Sequence, residues 1–153
     1  MTKLNIGDVV PNFELKDENG TSFTFNAKGL KGWTVLYFYP MDDTPGCTKE
    51  ACAFRDAFED FTAAGAQVIG VSNDGQSKHE AFKAKHNLPF TLLTDENKKV
   101  QKLFGVKGSL LGFLPGRETF VIDSQGVLRH KFRSQIKAEQ HVQEALSIIQ
   151  SAS

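Results

Sequence analysis

Apolar and polar residues along this chain follow two periods, and the change from one to the other predicts alternating strands and helices. Positions 34–39 and 68–71 are apolar runs of the kind found in strands buried on both faces. Between them, from position 45 to about 64, apolar residues recur every three or four positions, which predicts a helix with one buried face. That face consists of Ala51, Phe54, Phe58 and Phe61.

The remaining pattern predicts a hairpin near each end of the chain and a helical C-terminus. Further strands are predicted at 13–15, 22–25, 90–93, 119–122 and 127–132. Further helices are predicted at 78–85, at 97–104 and from about 138. Strand–helix–strand followed by hairpin–helix is typical of an α/β sandwich with a mixed central sheet. No repeat or linker divides the chain, so we expect one domain over 1–153.

Composition excludes several classes of partner. Lys and Arg total 18, as do Asp and Glu, so the formal net charge is zero and neither nucleic acid nor an anionic membrane surface is expected as a partner. No apolar stretch approaches the roughly 18 residues of a membrane span. The N-terminus lacks the apolar core of a signal peptide, which favours a cytoplasmic location. Two cysteines are too few for a secreted disulfide scaffold.

The residues around Cys47 predict a reactive thiol. The first buried strand stops at Pro40, and a turn-rich loop leads to Thr44 and Pro45, which are favoured at the N-cap and the first position of a helix. Cys47 is then the third helical residue, beside unpaired backbone N–H groups and the positive end of the helix dipole. Cysteines in that setting commonly react as thiolates. The alternative is a small buried hydrophobe that extends the apolar face.

Cys52 lies five residues further along the same predicted helix, about 140° around its axis and near the polar face. Helix geometry places the two Cα atoms roughly 8.7 Å apart. Because a disulfide needs Cα atoms within about 7 Å, the two cysteines cannot bond while the helix is intact. A bond between them would therefore require the first turn to unwind. An ordinary surface thiol is the alternative for Cys52.

A fast reaction at Cys47 would also need hydrogen-bond donors around the sulfur. The Thr44 hydroxyl, the N–H groups of the first helical turn and a guanidinium could supply them. Asp42 and Asp43 would oppose a thiolate if they pointed inward, and both are expected to be exposed turn residues. The irregular stretch 105–116, with four Gly and one Pro, has the length of a functional loop.

The motif Pro-x-x-x-Thr-x-x-Cys, formed by Pro40, Thr44 and Cys47, resembles that of the peroxiredoxins. Over nearly the whole chain the sequence is similar to the peroxiredoxin Q group, also called bacterioferritin comigratory protein. The runs that carry this resemblance are 37–40, 51–56, 70–72, 88–90 and 116–123.

This resemblance implies a thioredoxin fold and an antioxidant thiol peroxidase acting on hydrogen peroxide and organic hydroperoxides. Cys47 would be the peroxidatic cysteine that becomes a sulfenic acid, and Cys52 the resolving cysteine of an intramolecular disulfide. Thr44 would hydrogen-bond the thiolate and the peroxide, Pro40 would shield the sulfenic acid, and Arg117 would stabilise the thiolate and the departing oxygen. The reductant would be thioredoxin, or alternatively glutaredoxin. The resemblance also implies a monomer that needs neither a cofactor nor a metal.

Other functions remain open on the residues alone. Thiol–disulfide oxidoreductases usually carry Cys-x-x-Cys, and the five-residue step here argues against that class. A metal- or partner-binding module is a second alternative, although the histidines lack zinc-site spacing. A papain-like Cys–His enzyme is a third, and no local signature accompanies Cys47. Each histidine is expected to be at the surface or satisfied by a partner; they are His79, His86, His130 and His141.

Overall fold

A mixed β-sheet forms the centre of the computed structural model, which describes residues 4–106, 118–133 and 138–152. Its strands are β1 (Phe13–Asp17), β2 (Ser22–Phe25), β3 (Trp33–Phe38), β4 (Ala66–Ser72), β5 (Thr91–Thr94), β6 (Glu118–Ile122) and β7 (Leu128–Arg133). Across the sheet the order is β2-β1-β5-β4-β3-β6-β7. The pairs β3–β4 and β4–β5 are parallel, and the other pairs are antiparallel. The predicted mixed sheet and N-terminal hairpin are confirmed.

Helices cover both faces of this sheet. They are α1 (Pro45–Asp56), α2 (Phe58–Ala63), α3 (Gln76–His86), α4 (Lys99–Leu103) and α5 (Ala138–Ala152). In β3, Val35 and Tyr37 point into one core cluster with α1, α2, α3 and α5, while Leu36 and Phe38 point into a second cluster that includes Val100 of α4. This alternation follows from the two-residue period of a strand and produces three layers. No helix in the described ranges has the length and apolarity that crossing a membrane requires.

The turn between β6 and β7 shows why the sequence forms a hairpin there. Gly126 has a φ of +80°, which is the left-handed region, and a Cβ atom at this position would lie 2.4 Å from the carbonyl oxygen of Ala27. Asp123 accepts hydrogen bonds from the N–H groups of Gln125 and Val127 and from Arg129 Nε. Glycine and a self-capping aspartate therefore fix this turn.

Two of the differences between predicted and observed helix limits have a cause in the backbone conformation. The helix predicted from 45 to about 64 is divided, because Ala57 has φ −95° and ψ 5° and separates α1 from α2. The helix predicted to begin at 97 begins instead at Lys99, because Lys98 has a φ of 57° and cannot be part of a right-handed helix. The break at Ala57 does not interrupt the buried face, since Phe54 of α1 and Phe61 of α2 are both inaccessible to solvent.

Candidate active site

Cys47 lies in the first turn of α1, the helix that follows the central strand β3. After β3 the chain passes through a loop to Thr44, the N-cap of α1, and Pro45 occupies the first position of that helix. Cys47 is therefore the third residue of α1, as predicted. Its side chain is buried, with 1% of its surface exposed. First-turn N–H groups have no partner within their own helix, so this position faces partial positive charge.

An aromatic wall packs beneath Cys47. Cys47 shares a core cluster with Phe54 of α1 and with Tyr37 and Tyr39 at the end of β3. The Tyr37 ring stacks on Phe54 at a centroid distance of 4.6 Å and on Tyr39 at 5.4 Å. A buried thiol against fixed rings has few positions open to it, so the packing holds the sulfur at the helix entrance.

Thr44 and Pro40 flank this entrance. Among the described residues Thr44 provides no side-chain cap for α1; its hydroxyl instead donates to the carbonyl oxygen of Met41 at 3.0 Å. The hydroxyl would have to rotate to donate to a sulfur or a peroxide. Pro40 is half-buried, two residues after the end of β3. Arg117 and most of the predicted loop 105–116 lie outside the described residues.

Cys52 is half-buried on the outer side of α1, and both cysteines are reduced. It lines a groove of about 500 Å³ between α1 and α5. Three acidic residues and one basic residue also line this groove, namely Asp56, Asp60, Glu139 and Lys49. Cys52 is therefore partly open to solvent at this groove, whereas Cys47 is buried.

Asp42 contradicts the expectation of an exposed turn residue, because only 6% of its surface is accessible. Its carboxylate accepts a hydrogen bond from the Tyr39 hydroxyl at 2.5 Å and lies 2.5 Å from His79 Nδ1. Its backbone N–H donates to Asp74 at 2.6 Å. Burial, followed by the Asp42 charge, raises the pKa of Tyr39 well above its ordinary value, so Tyr39 remains a neutral donor.

Asp43 is exposed, as predicted, and its carboxylate points toward α3. Lys85 Nζ lies 3.1 Å from both of its oxygens, and His86 Nε2 lies 3.6 Å from one of them. The hydrogen bond from Lys85 lowers the pKa of Asp43. Its backbone has a φ of 62°, unusual for a residue with a side chain. The loop between β3 and α1 is therefore attached to α3 by two consecutive residues, Asp42 and Asp43.

One cluster in the described part of the chain has the composition of a metal site. Candidate ligand atoms of Asp42, Asp74 and His79 all lie within 4.8 Å of one another. These groups already bond to protein: Asp74 accepts from the Ser72 hydroxyl at 2.8 Å, and His79 Nε2 lies 3.0 Å from the Leu93 carbonyl oxygen. The cluster is thus a hydrogen-bonded network that connects the Cys47 loop to α3, β4 and β5.

A second buried polar group, also missed by the sequence analysis, lies one turn beyond Cys47. Glu50 of α1, His141 of α5 and Thr119 of β6 are all inaccessible to solvent. His141 Nδ1 is 2.6 Å from the Thr119 hydroxyl and 3.4 Å from Glu50 Oε2. A helical spacing of three residues places Glu50 and Cys47 on the same side of α1, and this could have signalled the group in the sequence.

Comparisons with known proteins agree on one family. The AhpC/TSA family model matches residues 6–131. The chloroplastic peroxiredoxin Q of Triticum aestivum is 51% identical over 150 residues, which are 97% of this chain and 68% of that protein. The peroxidoxin BcpB of Mycobacterium tuberculosis has a TM-score of 0.90 and 37% identity, covering 98% of this chain and 99% of that one. The bacterioferritin comigratory protein of Xanthomonas campestris has a TM-score of 0.83 and 30% identity, with 97% of each chain covered.

These comparisons confirm one prediction and contradict another. The thioredoxin fold is confirmed by the match to the solved structures. The expectation of a cytoplasmic location is wrong, because the wheat protein and other curated relatives of about half identity are chloroplastic. That expectation rested on the composition of the first residues, which does not distinguish a cytoplasmic from a plastid protein.

Proposed function

Because this chain belongs to the AhpC/TSA family and is a thiol-dependent peroxidase of the peroxiredoxin Q type, we propose that Cys47 is its peroxidatic cysteine. The observation that carries this assignment is the placement of Cys47 in the first turn of α1, directly after a Thr-Pro helix start. Partial positive charge from the helix end stabilises an anionic sulfur there. Cys52 lies further from the helix end and lacks this stabilisation.

The reaction proceeds in two balanced steps. The Cys47 thiolate attacks one peroxide oxygen, the O–O bond breaks, and the leaving oxygen takes a proton to become water or an alcohol. Sulfur is oxidised to a sulfenic acid while the peroxide is reduced. The Cys52 thiol then attacks the Cys47 sulfur, an S–S bond forms, and the hydroxyl leaves as water.

Hydrogen-bond donors at the helix entrance supply most of the rate, because a lowered thiol pKa raises the thiolate fraction but also weakens each thiolate as a nucleophile. The first-turn N–H groups and the Thr44 hydroxyl stabilise the departing oxygen. Arg117 supplies a guanidinium for the same purpose, a role that the family resemblance implies. Half-buried Pro40 shields the sulfenic acid from solvent. Substituting Thr44 by Val removes one donor at nearly constant volume, and we expect it to lower kcat/KM for peroxide by about 10- to 1000-fold.

Substrates are hydrogen peroxide and organic hydroperoxides. The Xanthomonas protein reduces alkyl peroxide, and the related fold supports the same class here. Thioredoxin, with glutaredoxin as the alternative, reduces the disulfide through a thiolate that attacks a disulfide sulfur. Half-exposed Cys52 in its groove is the more accessible of the two sulfurs. We expect residues 1–153 to act as one domain and as a monomer, which light scattering of the reduced and oxidised protein would check.

The test is NADPH consumption coupled through thioredoxin reductase and thioredoxin, with hydrogen peroxide or an alkyl hydroperoxide. Cys47→Ser is expected to abolish turnover. Cys52→Ser is expected to consume about one equivalent of peroxide and then stall. Sustained thioredoxin-dependent turnover by Cys52→Ser would remove Cys52 from the resolving role, and turnover by Cys47→Ser would reject the assignment of Cys47.

A further inference from the structure

Asp42 precedes Cys47 by five residues and is held more firmly than the residues on either side of it. Met41 and Asp43 are exposed, whereas Asp42 is 6% exposed. Three groups from separate parts of the fold hold it: Tyr39 at the end of β3, His79 on α3 and, through the backbone N–H of Asp42, Asp74 after β4. We refer to Asp42 with these three partners as the Asp42 anchor.

Hydrogen bonds at both ring nitrogens fix the orientation of His79. Its Nε2 atom faces the Leu93 carbonyl oxygen at 3.0 Å, and because a carbonyl only accepts, Nε2 carries a proton. Its Nδ1 atom lies 2.5 Å from a carboxylate oxygen of Asp42, so a second proton lies between those two atoms. The His79 and Asp42 side chains, 0% and 2% exposed, thus form a buried hydrogen-bonded pair. Lys78 lies 3.6 Å from Asp74 and offsets its charge.

Contacts immediately after Asp42 are far weaker. Asp43 pairs with Lys85 in the open, where the two side chains are 54% and 62% exposed, and such surface pairs add little stability. Asp43 also has a φ of 62°, a strained value for a residue with a Cβ atom. Opening is therefore easier at Asp43 than at Asp42, because breaking the buried hydrogen bonds of Asp42 would leave polar groups without partners.

The geometry points to Asp42 as a positioning residue for the Cys47 reaction. Asp42 remains hydrogen-bonded to His79 and Tyr39 in both redox forms. It fixes the start of α1 for peroxide attack. It also limits the unwinding that the Cys47–Cys52 bond requires to the residues that follow Asp42. Asp43 and Thr44 form the hinge. This inference rests on the proposed function, since it supposes that Cys47 and Cys52 must meet.

Kinetics separate this role from a general effect on folding. Asp42→Asn keeps the shape of the side chain but removes its charge, and we expect oxidation of Cys47 by hydrogen peroxide to slow by about 10- to 100-fold, because misplacing a reacting group by about 1 Å has that effect. Formation of the disulfide from the sulfenic acid should not slow. Tyr39→Phe, which removes one donor and keeps the ring, should fall between wild type and Asp42→Asn.

The matched control is Asp123→Asn. Asp123 is as buried as Asp42, with 6% exposure, and also accepts several hydrogen bonds, but at the β6–β7 turn. Asp123→Asn should lose stability without slowing oxidation of Cys47. If Cys47 were oxidised as fast in Asp42→Asn as in Asp123→Asn and in the wild type, the positioning role of Asp42 would be rejected, while the proposed function would stand. If Cys47 of the wild type were not oxidised by peroxide, the proposed function itself would fail.

A spectroscopic readout follows the anchor directly. A proton shared over 2.5 Å between imidazole and carboxylate gives a far-downfield proton NMR signal, assigned by its loss in His79→Gln. We expect this signal in the reduced and in the disulfide form of the wild type, and its absence in Asp42→Asn. Its disappearance from the wild-type disulfide form would show that the anchor releases on oxidation and would overturn the inference.

Discussion

Oxidation to the disulfide should unwind the first half of α1. The reduced helix is continuous from Pro45 to Asp56 and carries both cysteines. Five helical steps separate their Cα atoms by roughly 8.7 Å. A disulfide closes over at most about 7 Å, so the bond and the intact helix exclude each other.

The cost of this opening follows from what is broken. The bond from the Thr48 N–H to the Thr44 carbonyl oxygen, 2.8 Å long, closes the first turn, and the next few helical bonds fall within the same segment. At a net 0.5–1.5 kcal/mol each, about four such bonds contribute about 2–6 kcal/mol. The reduced protein is therefore closed most of the time, with the open form at a few per cent or less. Opening also brings Cys47 out of its aromatic cluster.

Amide hydrogen exchange followed by mass spectrometry measures this opening. Peptides that cover α1 should take up deuterium faster in the disulfide form than in the reduced form, while peptides from α5 should not change. Cys52→Ser treated with peroxide is the matched control and should keep the slow exchange of its first turn. Unchanged exchange across 45–51, in protein whose 47–52 bond has been mapped, would refute the reasoning.

Two further predictions concern the packing around the site. Gly70→Ala should cost about 1–3 kcal/mol of unfolding free energy, because a Cβ atom would lie 2.9 Å from the Tyr37 ring. Gly75→Ala is the control, because a Cβ atom at that position has open space around it. Urea unfolding of both variants measures the difference. The raised pKa of Tyr39 means that the folded protein holds this proton more tightly than the unfolded chain. Its contribution is complete below about pH 10, where the unfolded tyrosine titrates, and is lost as the pH rises toward the folded value. Tyr39→Phe should flatten this alkaline loss of stability, and an unchanged slope would contradict the assignment.

Local patterns predicted most of the framework. The strand alternation, the hairpins and the start of α1 at Thr44 and Pro45 follow from neighbours in sequence, and each appears in the structure. The break at Ala57 does not, because alanine is a good helix former and neither Gly nor Pro stands beside it as a stop signal.

The polar surroundings of Cys47 were the part that the sequence could not predict. Asp42 looks like an exposed turn residue until the fold brings His79, 37 positions away, within 2.5 Å of it. Glu50 and His141 likewise meet only through the packing of α1 on α5. Arg117 differs again: its assignment came from the family resemblance, and it remains a prediction. Pairings over long sequence separations are properties of the tertiary structure and leave no local pattern.

The central claim is that peroxide attacks Cys47 and that Cys52 resolves the product. Its most direct test is to treat Cys52→Ser with one equivalent of hydrogen peroxide, trap sulfenic acid with a dimedone reagent and map the adduct by mass spectrometry, with Cys47→Ser treated in parallel. We expect the adduct on Cys47 in the first variant and little adduct on Cys52 in the second. A Cys47 thiol left unmodified in the first variant, with an efficient adduct at Cys52 in the second, would contradict the account.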